Sequence, residues 1–230
     1  MVNYTGSGGN SATGISLQVG GTTGRAVLNL NSTGTFNLAT VSGASPSVGG
    51  NNGAADTGAG AIYQSNGTVT VGRDQIYMQL GVGDITTYGS YVLSGGVLKN
   101  GTTAGFRVGC GGLGVFTQTG GTLTCNRWFA IGTSVANPTF SHGIATFTGG
   151  TASVATAYRI LLADRTNQSG TLNIGTQAGG AAVVTSANTT ASRCSIRSTP
   201  SAPPSISTAV PWFSAGRFIA SAPTLPAPPR

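Results

Sequence analysis

The stretch GVFTQTGGTLTCNRWFAIGT, Gly114–Thr133, decides how this chain folds. It alternates apolar and small polar residues, breaks at Gly120-Gly121, and then alternates again. A period of two with a Gly-Gly corner reads as strand, turn, strand. Three further segments share that grammar: GAIYQSNGTVTVGRDQIYMQLGVG from Gly60, GSYVLSGGVLKNGTTAGFRVGCGG from Gly89, and GIATFTGGTASVATAYRILLADR from Gly143. A fifth copy opens at Gly170 with GTLNIG and then degrades. A looser one, GRAVLNLNSTGTFNLATVSG, starts at Gly24 and runs into an irregular excursion, GASPSVGGNNGAADTGAG. Starts at 60, 89, 114, 143 and 170 set a spacing of 25–29 residues.

Each copy has one internal order. A short alternating strand (Ile62 to Gln64, Tyr91 to Leu93, Phe116 to Gln118) meets a tight corner at Asn66-Gly67, Gly95-Gly96, Gly120-Gly121 or Gly149-Gly150. Those dipeptides tolerate the positive φ of such corners. A second strand follows, and after a variable gap a third, more apolar one: QIYMQLG, GFRVGC, RWFAIG, YRILLA. Three short strands in a unit of this length predict a parallel β-solenoid, since propeller blades need roughly 40 residues or more. One repeat cannot bury its inner residues alone; stacking neighbours about 4.8 Å apart buries a continuous core. The alignment then predicts two inward ladders, Ile62–Tyr91–Phe116–Ala145 and Val69–Leu98–Leu123–Ala152.

Composition agrees. Charged residues make up 7% of 230 positions, Glu is absent, and Gly occupies 38. Thr outnumbers every helix-favouring polar residue, which suits strands. The net charge of +7 comes from scarce acids rather than a basic patch: ten Arg and the single Lys99 are scattered, so a nucleic-acid partner is not expected. Cys110, Cys125 and Cys194 form no C-x-x-C pair and read as small apolar fillers, with a Cys110–Cys125 bridge open only if the fold stacks them. No stretch approaches the roughly 20 apolar residues of a membrane span. Residues 1–20 carry no signal-peptide pattern, and the chain reads as an internal piece of something longer.

The motif G-V-F-T-Q-T-G-G-T-L-T … W-F-A-I-G at Gly114–Gly132 resembles the autotransporter-associated β-strand repeats of large bacterial surface proteins. AVLNLNSTGTF (Ala26–Phe36) and SGTLNIG (Ser169–Gly175) have the same character, so the likeness covers residues 15–180. The resemblance implies an extended passenger-type solenoid, secreted or displayed at the cell surface. A C-terminal membrane barrel of the kind such proteins carry is not read here, so self-export is not expected of this segment.

Motifs for chemistry are few. His142 is the only histidine, and G-x-S-x-G, H-E-x-x-H and P-loop patterns are absent. No cofactor and no metal is expected. Asp56, Asp74, Asp84 and Asp164 are far apart in sequence, although clustering of Asp74, Asp84 or Asp164 beside an Arg would favour a polysaccharide-degrading β-helix. The best binding candidate is an Arg–aromatic stripe in the third strands, Arg73, Arg107, Arg127, Trp128, Tyr158 and Arg159, able to stack on sugars or pair with acidic glycans. Thr68/Thr70, Thr122/Thr124 and Thr151/Ser153 raise an ice-binding alternative, interrupted by Val97 and Lys99.

From Ser192 the grammar vanishes: residues 192–230 hold eight of ten Pro and one Gly. They read as a Pro/Ser-rich disordered tail or as sequence translated out of frame. For the latter, synonymous codons for SISTAVPWFSAGR (Ser205–Arg217), read two nucleotides later, can spell Asn-Gly-Gly-Thr-Leu-Val-Phe-Gly-Gly-Thr, which is the repeat again. The expectation is therefore a single right-handed parallel β-solenoid of about six irregular coils over residues 1–191, followed by that tail. Its expected role is non-catalytic: a structural, adhesin-like segment of a bacterial secreted or surface protein. Surface glycans or other surface proteins are the expected partners, with end-to-end self-association through open strand edges. Glycan binding or cleavage and ice binding are the alternatives.

Overall fold

Alternation sends successive side chains to opposite faces of a strand. Here the apolar set of each regular strand points to a common axis, and three strands carry the chain once around it. The computed structural model describes residues 1–5, 17–38, 46–50, 56–72, 77–83, 85–101, 105–133, 141–155, 158, 160–163, 168–177, 180–181 and 183–186. Within them the chain is all β, without a helix.

A partial coil comes first, β1 (Val2–Tyr4) and β2 (Gln18–Val19). The next coil is β3 (Arg25–Leu30), β4 (Thr35–Leu38) and β5 (Ser47–Val48), and after it come β6 (Ala59–Gln64), β7 (Thr68–Val71) and β8 (Tyr77–Val82). The central coil is β9 (Tyr88–Leu93), β10 (Val97–Asn100) and β11 (Gly105–Cys110), then β12 (Leu113–Gln118), β13 (Thr122–Cys125) and β14 (Phe129–Ile131). The last coil with three strands is β15 (Ser141–Phe147), β16 (Thr151–Val154) and β17 (Ile160–Leu162). A closing partial coil holds β18 (Gln168–Ile174), the antiparallel pair β19 (Thr176–Gln177) and β20 (Gly180–Ala181), and β21 (Val183–Ser186).

First, second and third strands stack into parallel sheets of seven, six and six strands. The chain is a parallel β-solenoid. Among the described residues five coils carry all three strands, rather than the expected six, because the coils at each end lack a partner strand. The excursion after Gly43 is shorter than the sequence suggested: its Ser47-Val48 pairs with Gln18-Val19 and Gln79-Leu80 as an ordinary third strand. Residues 187–230, and with them the tail and its boundary, lie outside the described residues.

Both predicted ladders form in the predicted register. Ile62, Tyr91, Phe116 and Ala145 pair in turn, and the column extends to Leu28 and Leu172. Val69, Leu98, Leu123 and Ala152 do the same. All eight are at most 5% exposed. Size is balanced within a coil, since small Ala145 shares its strand with large Phe147, which packs on Phe116 and Phe129 at ring distances of 5.6 and 5.8 Å. Tyr4 leans on Phe36 at 5.5 Å, packing against the first-coil end of the core.

Two glycine positions explain why the repeat begins and ends as it does. Gly60, Gly89, Gly114, Gly143 and Gly170 sit where the first sheet crosses the third, and a Cβ on Gly89 would overlap the Val48 carbonyl oxygen. Facing them, each third strand closes on a residue with positive φ: Gly20 at 102°, Gly49, Gly81, Gly109 and Gly132 at 62–75°, then Ala163 at 42°. Backbone therefore meets backbone at this corner, and a side chain stands there only where Ala163 closes the last full coil.

Buried glutamines interrupt one inward column of the core, and Asn100 interrupts another. The inward column after the first ladder runs Leu30, Gln64, Leu93, Gln118, Phe147. Gln64 Nε2 donates to the carbonyls of Gly67 and Val97 at 3.2 and 3.1 Å, and its Oε1 accepts from Tyr91 Oη at 2.6 Å. Gln118 Nε2 repeats those contacts on Gly121 and Thr151, at 3.2 and 2.9 Å. Its Oε1 is buried without a hydrogen bond, because the residue in the place of Tyr91 one coil on is Ala145.

Candidate functional site

The Arg–aromatic stripe is expected in and just before the third strands, and the turn leading into β14 carries two of its members, Arg127 and Trp128. β13 ends at Cys125, and the corner is held by side-chain to backbone bonds. Asn100 Oδ1 accepts from Asn126 N at 2.6 Å, Asn126 Nδ2 donates to Asn100 O at 2.9 Å, and Cys125 Sγ donates to Arg127 O at 3.0 Å. Asn100 Nδ2 reaches Cys125 Sγ at 3.6 Å. Burial pushes the Cys125 thiol up to about 11, and the hydrogen bonds only partly offset that. Cys110 and Cys125 are both buried, on different sheets, and no disulfide joins them.

The corner delivers Arg127 and Trp128 side by side, with the Arg127 guanidinium carbon 4.9 Å from the indole centroid. Tyr158 of the next coil meets Trp128 edge-on, rings 6.0 Å apart at 85°. Arg127, Trp128 and Tyr158 thus form one half-buried cluster. Arg107 stands elsewhere. It is 8% exposed within β11, opposite Gln79 and Ala130. Measured from the closing glycine, Arg107 is two residues before Gly109 while Arg127 is five before Gly132, so register keeps them in different columns. Arg73 and Arg159 lie outside the described residues, as do Asp74, Asp84 and Asp164. A guanidinium stacked on indole can contact a carboxylate or the edge of a sugar, and here Trp128 already has Arg127 over its ring and Tyr158 edge-on to it.

The second sheet turns two regular columns outward. Thr68, Val97, Thr122 and Thr151 form one, and Thr70, Lys99, Thr124 and Ser153 the other. Thr151 Oγ1 donates to Thr122 Oγ1 at 3.2 Å. Val97 and exposed Lys99 break the hydroxyl array at its centre, as the sequence indicates.

A third surface was not singled out from sequence. On the outer face of the first sheet a shallow trough of about 280 Å³ has Ala59 and Ala61 as its floor, with Arg25, Val27 and Tyr88 among its walls. Tyr88 is 39% exposed, and Tyr63, at 47%, continues the same face beyond Ala61. Parity was the available signal. Ile62 and Gln64 point inward, so Tyr63 must point out. His142 also lies on this face, exposed, in register with Leu113 and Ser169.

Among the described residues, no group of three or more His, Cys, Asp or Glu is placed to hold a metal ion. No helix among them is long and apolar enough to cross a membrane. No protein-family model, curated protein or solved structure matches this chain.

Proposed function

We propose that this chain is a non-catalytic structural and adhesin-like repeat segment of a bacterial secreted or cell-surface protein. The observation that carries this reading is the unbroken in-register stacking of five full coils around one core. Every inner strand is hydrogen-bonded on both sides, and each coil adds about 4.8 Å to the axis. Such a body is stiff along its length and exposes regular columns on its faces, which is what a spacer that presents contacts away from a cell needs. Further repeats would lengthen it without changing its section. The G-G-T-L-T grammar of Gly120–Thr124 and its likeness to autotransporter-associated repeats support the exported setting.

The test is immunolabelling of intact cells of the source bacterium with antibodies raised against the folded chain. Label on unpermeabilised cells, or chain recovered from the medium, is expected. Label only after permeabilisation would refute the reading. Release of new reducing ends from acidic polysaccharides by the purified chain would refute its non-catalytic part.

A further inference from the structure

We infer that the outer face of the first sheet, at Arg25, Tyr63 and Tyr88, is a binding surface for an acidic polysaccharide strand. This rests on the adhesin-like reading and names its ligand class.

The geometry comes from register. Tyr88 pairs with Ala59, and Tyr63 lies four residues further along the same strand as Ala59. The two tyrosines therefore stand roughly 14 Å apart, four strand rises along and one strand spacing across. Between them the outward residues are small, Ala61 and Ser90, so the floor is low and the rings stand proud. Tyrosine suits this position because its ring face packs on the C–H face of a sugar while its hydroxyl stays wet. An open face with one ring at the trough and a second beyond its far side accepts a chain laid across it rather than a compact ligand held in a pocket.

Charge selects the chemistry. Exposed Arg25 pairs with Ala59 at the edge of the trough and offers a planar fork of donors to a carboxylate. The chain carries eleven basic and four acidic side chains. Among the described residues the one acidic side chain is Asp56, which is 3% exposed. The described surface therefore repels cations and attracts an anionic chain. A single Arg, in the same row of the sheet as Tyr88, is too sparse a basic footprint for nucleic acid. The face is also small for a second copy: seven strands by about six residues is a footprint of roughly 650 Å², against ~800 Å² per partner in a stable interface.

The test is titration of the whole chain with polygalacturonate, with dextran and single-stranded DNA as comparisons. Expected are binding to polygalacturonate that weakens with salt, no binding to dextran, and at least tenfold weaker binding in both Tyr88→Ala and Arg25→Gln. Arg127→Ala, on another face, should bind as the parent does. Both tested side chains are exposed, and Arg25→Gln serves if Tyr88→Ala fails to fold. Absence of binding overturns the inference. So do equal binding of single-stranded DNA that Tyr88→Ala leaves untouched, an equal loss in Arg127→Ala, or a concentration-dependent dimer that Tyr88→Ala abolishes. Each of these leaves the cell-labelling result standing, so the two readings fail separately.

Discussion

Replacing Gln64 by Leu and Gln118 by Leu makes the same chemical change at two rungs of one column, with different expected costs. Leu is already accepted there, because Leu30 and Leu93 flank Gln64 in register. Both glutamines donate to corner carbonyls, and Gly67 and Gly121 also accept backbone N–H bonds at 2.7 and 3.0 Å, so neither corner is left bare. The difference is the other end of the amide. Gln64 Oε1 accepts the fully buried Tyr91 hydroxyl, whereas Gln118 Oε1 has no hydrogen bond. Gln64→Leu therefore orphans a buried donor, costing about 1–3 kcal/mol on top of the lost Nε2 bonds, for a total of about 2–4 kcal/mol. Gln118→Leu also loses Nε2 bonds but removes an unsatisfied oxygen, and the two should nearly cancel, within about 1 kcal/mol.

Tyr91→Phe supplies the decisive comparison. Alone it orphans Gln64 Oε1 and should cost about 1–3 kcal/mol, yet in the Gln64→Leu background it removes the orphan and should recover a similar amount. The assay is urea unfolding followed by tryptophan fluorescence in a Trp212→Phe background, which leaves Trp128 as the reporter, and by circular dichroism, with ΔΔG read from midpoints at unchanged m. A coupling of about 1–3 kcal/mol between positions 64 and 91, with none between 118 and 91, is expected. Equal losses from the two Gln→Leu variants, or additive behaviour of Gln64→Leu with Tyr91→Phe, would refute the reasoning.

Four further outcomes follow from the same geometry. Gly89→Ala should cost more than about 3 kcal/mol, because its Cβ meets backbone that cannot move aside, while Gly175→Ala, with open space around it, should lie within about 1 kcal/mol of the parent in the same unfolding assay. Ala163→Gly should stabilise by about 0.5–1 kcal/mol by relieving the only positive φ outside glycine among the described residues; destabilisation would contradict this. Folding raises the Cys125 thiol from 9.0 to about 11, so above pH 9 the unfolded chain loses this proton first. This thiol should then cost about 1.4 kcal/mol of stability per pH unit between pH 9 and 10, below the range where the buried Tyr91 hydroxyl, also pushed up by burial, adds a slope of its own, and Cys125→Val should remove the thiol's share. Val is the natural replacement, since Val154 occupies the next rung. Finally, the coding DNA beyond codon 192, read in its shifted frames, should resume Gly-Gly-Thr-Leu repeats if the tail is out of frame; three frames without them would dispose of that origin.

The local grammar was legible because it is dictated locally. Period-two alternation at Tyr91–Leu93 and Phe116–Gln118 shows which side chains go inside, and Gly120-Gly121 marks where the strand must turn. Once the repeat is seen, stacking makes the ladder register a matter of alignment, so Ile62–Tyr91–Phe116–Ala145 could be written down beforehand. The alignment failed where loops vary in length. Arg107, Arg127 and Arg159 look equivalent as words in a string, yet pairing is set by the closing glycines, and Arg107 falls opposite Ala130 instead. Ser47-Val48 was lost within Gly-rich surroundings because two residues carry no readable period.

Sequence alone, then, determined the class of fold, the inward set and the corners, since these rest on short-range sterics and the face-to-face alternation of a strand. Only the tertiary structure decided what each residue meets one coil away. It gave Gln64 a partner in Tyr91 and left Gln118 Oε1 unpaired, it joined Arg127 and Trp128 to Tyr158, and it set Tyr63 and Tyr88 on one outer face. Those relations depend on contacts some 25–30 residues apart in the chain, whose register follows from how every loop between them is folded.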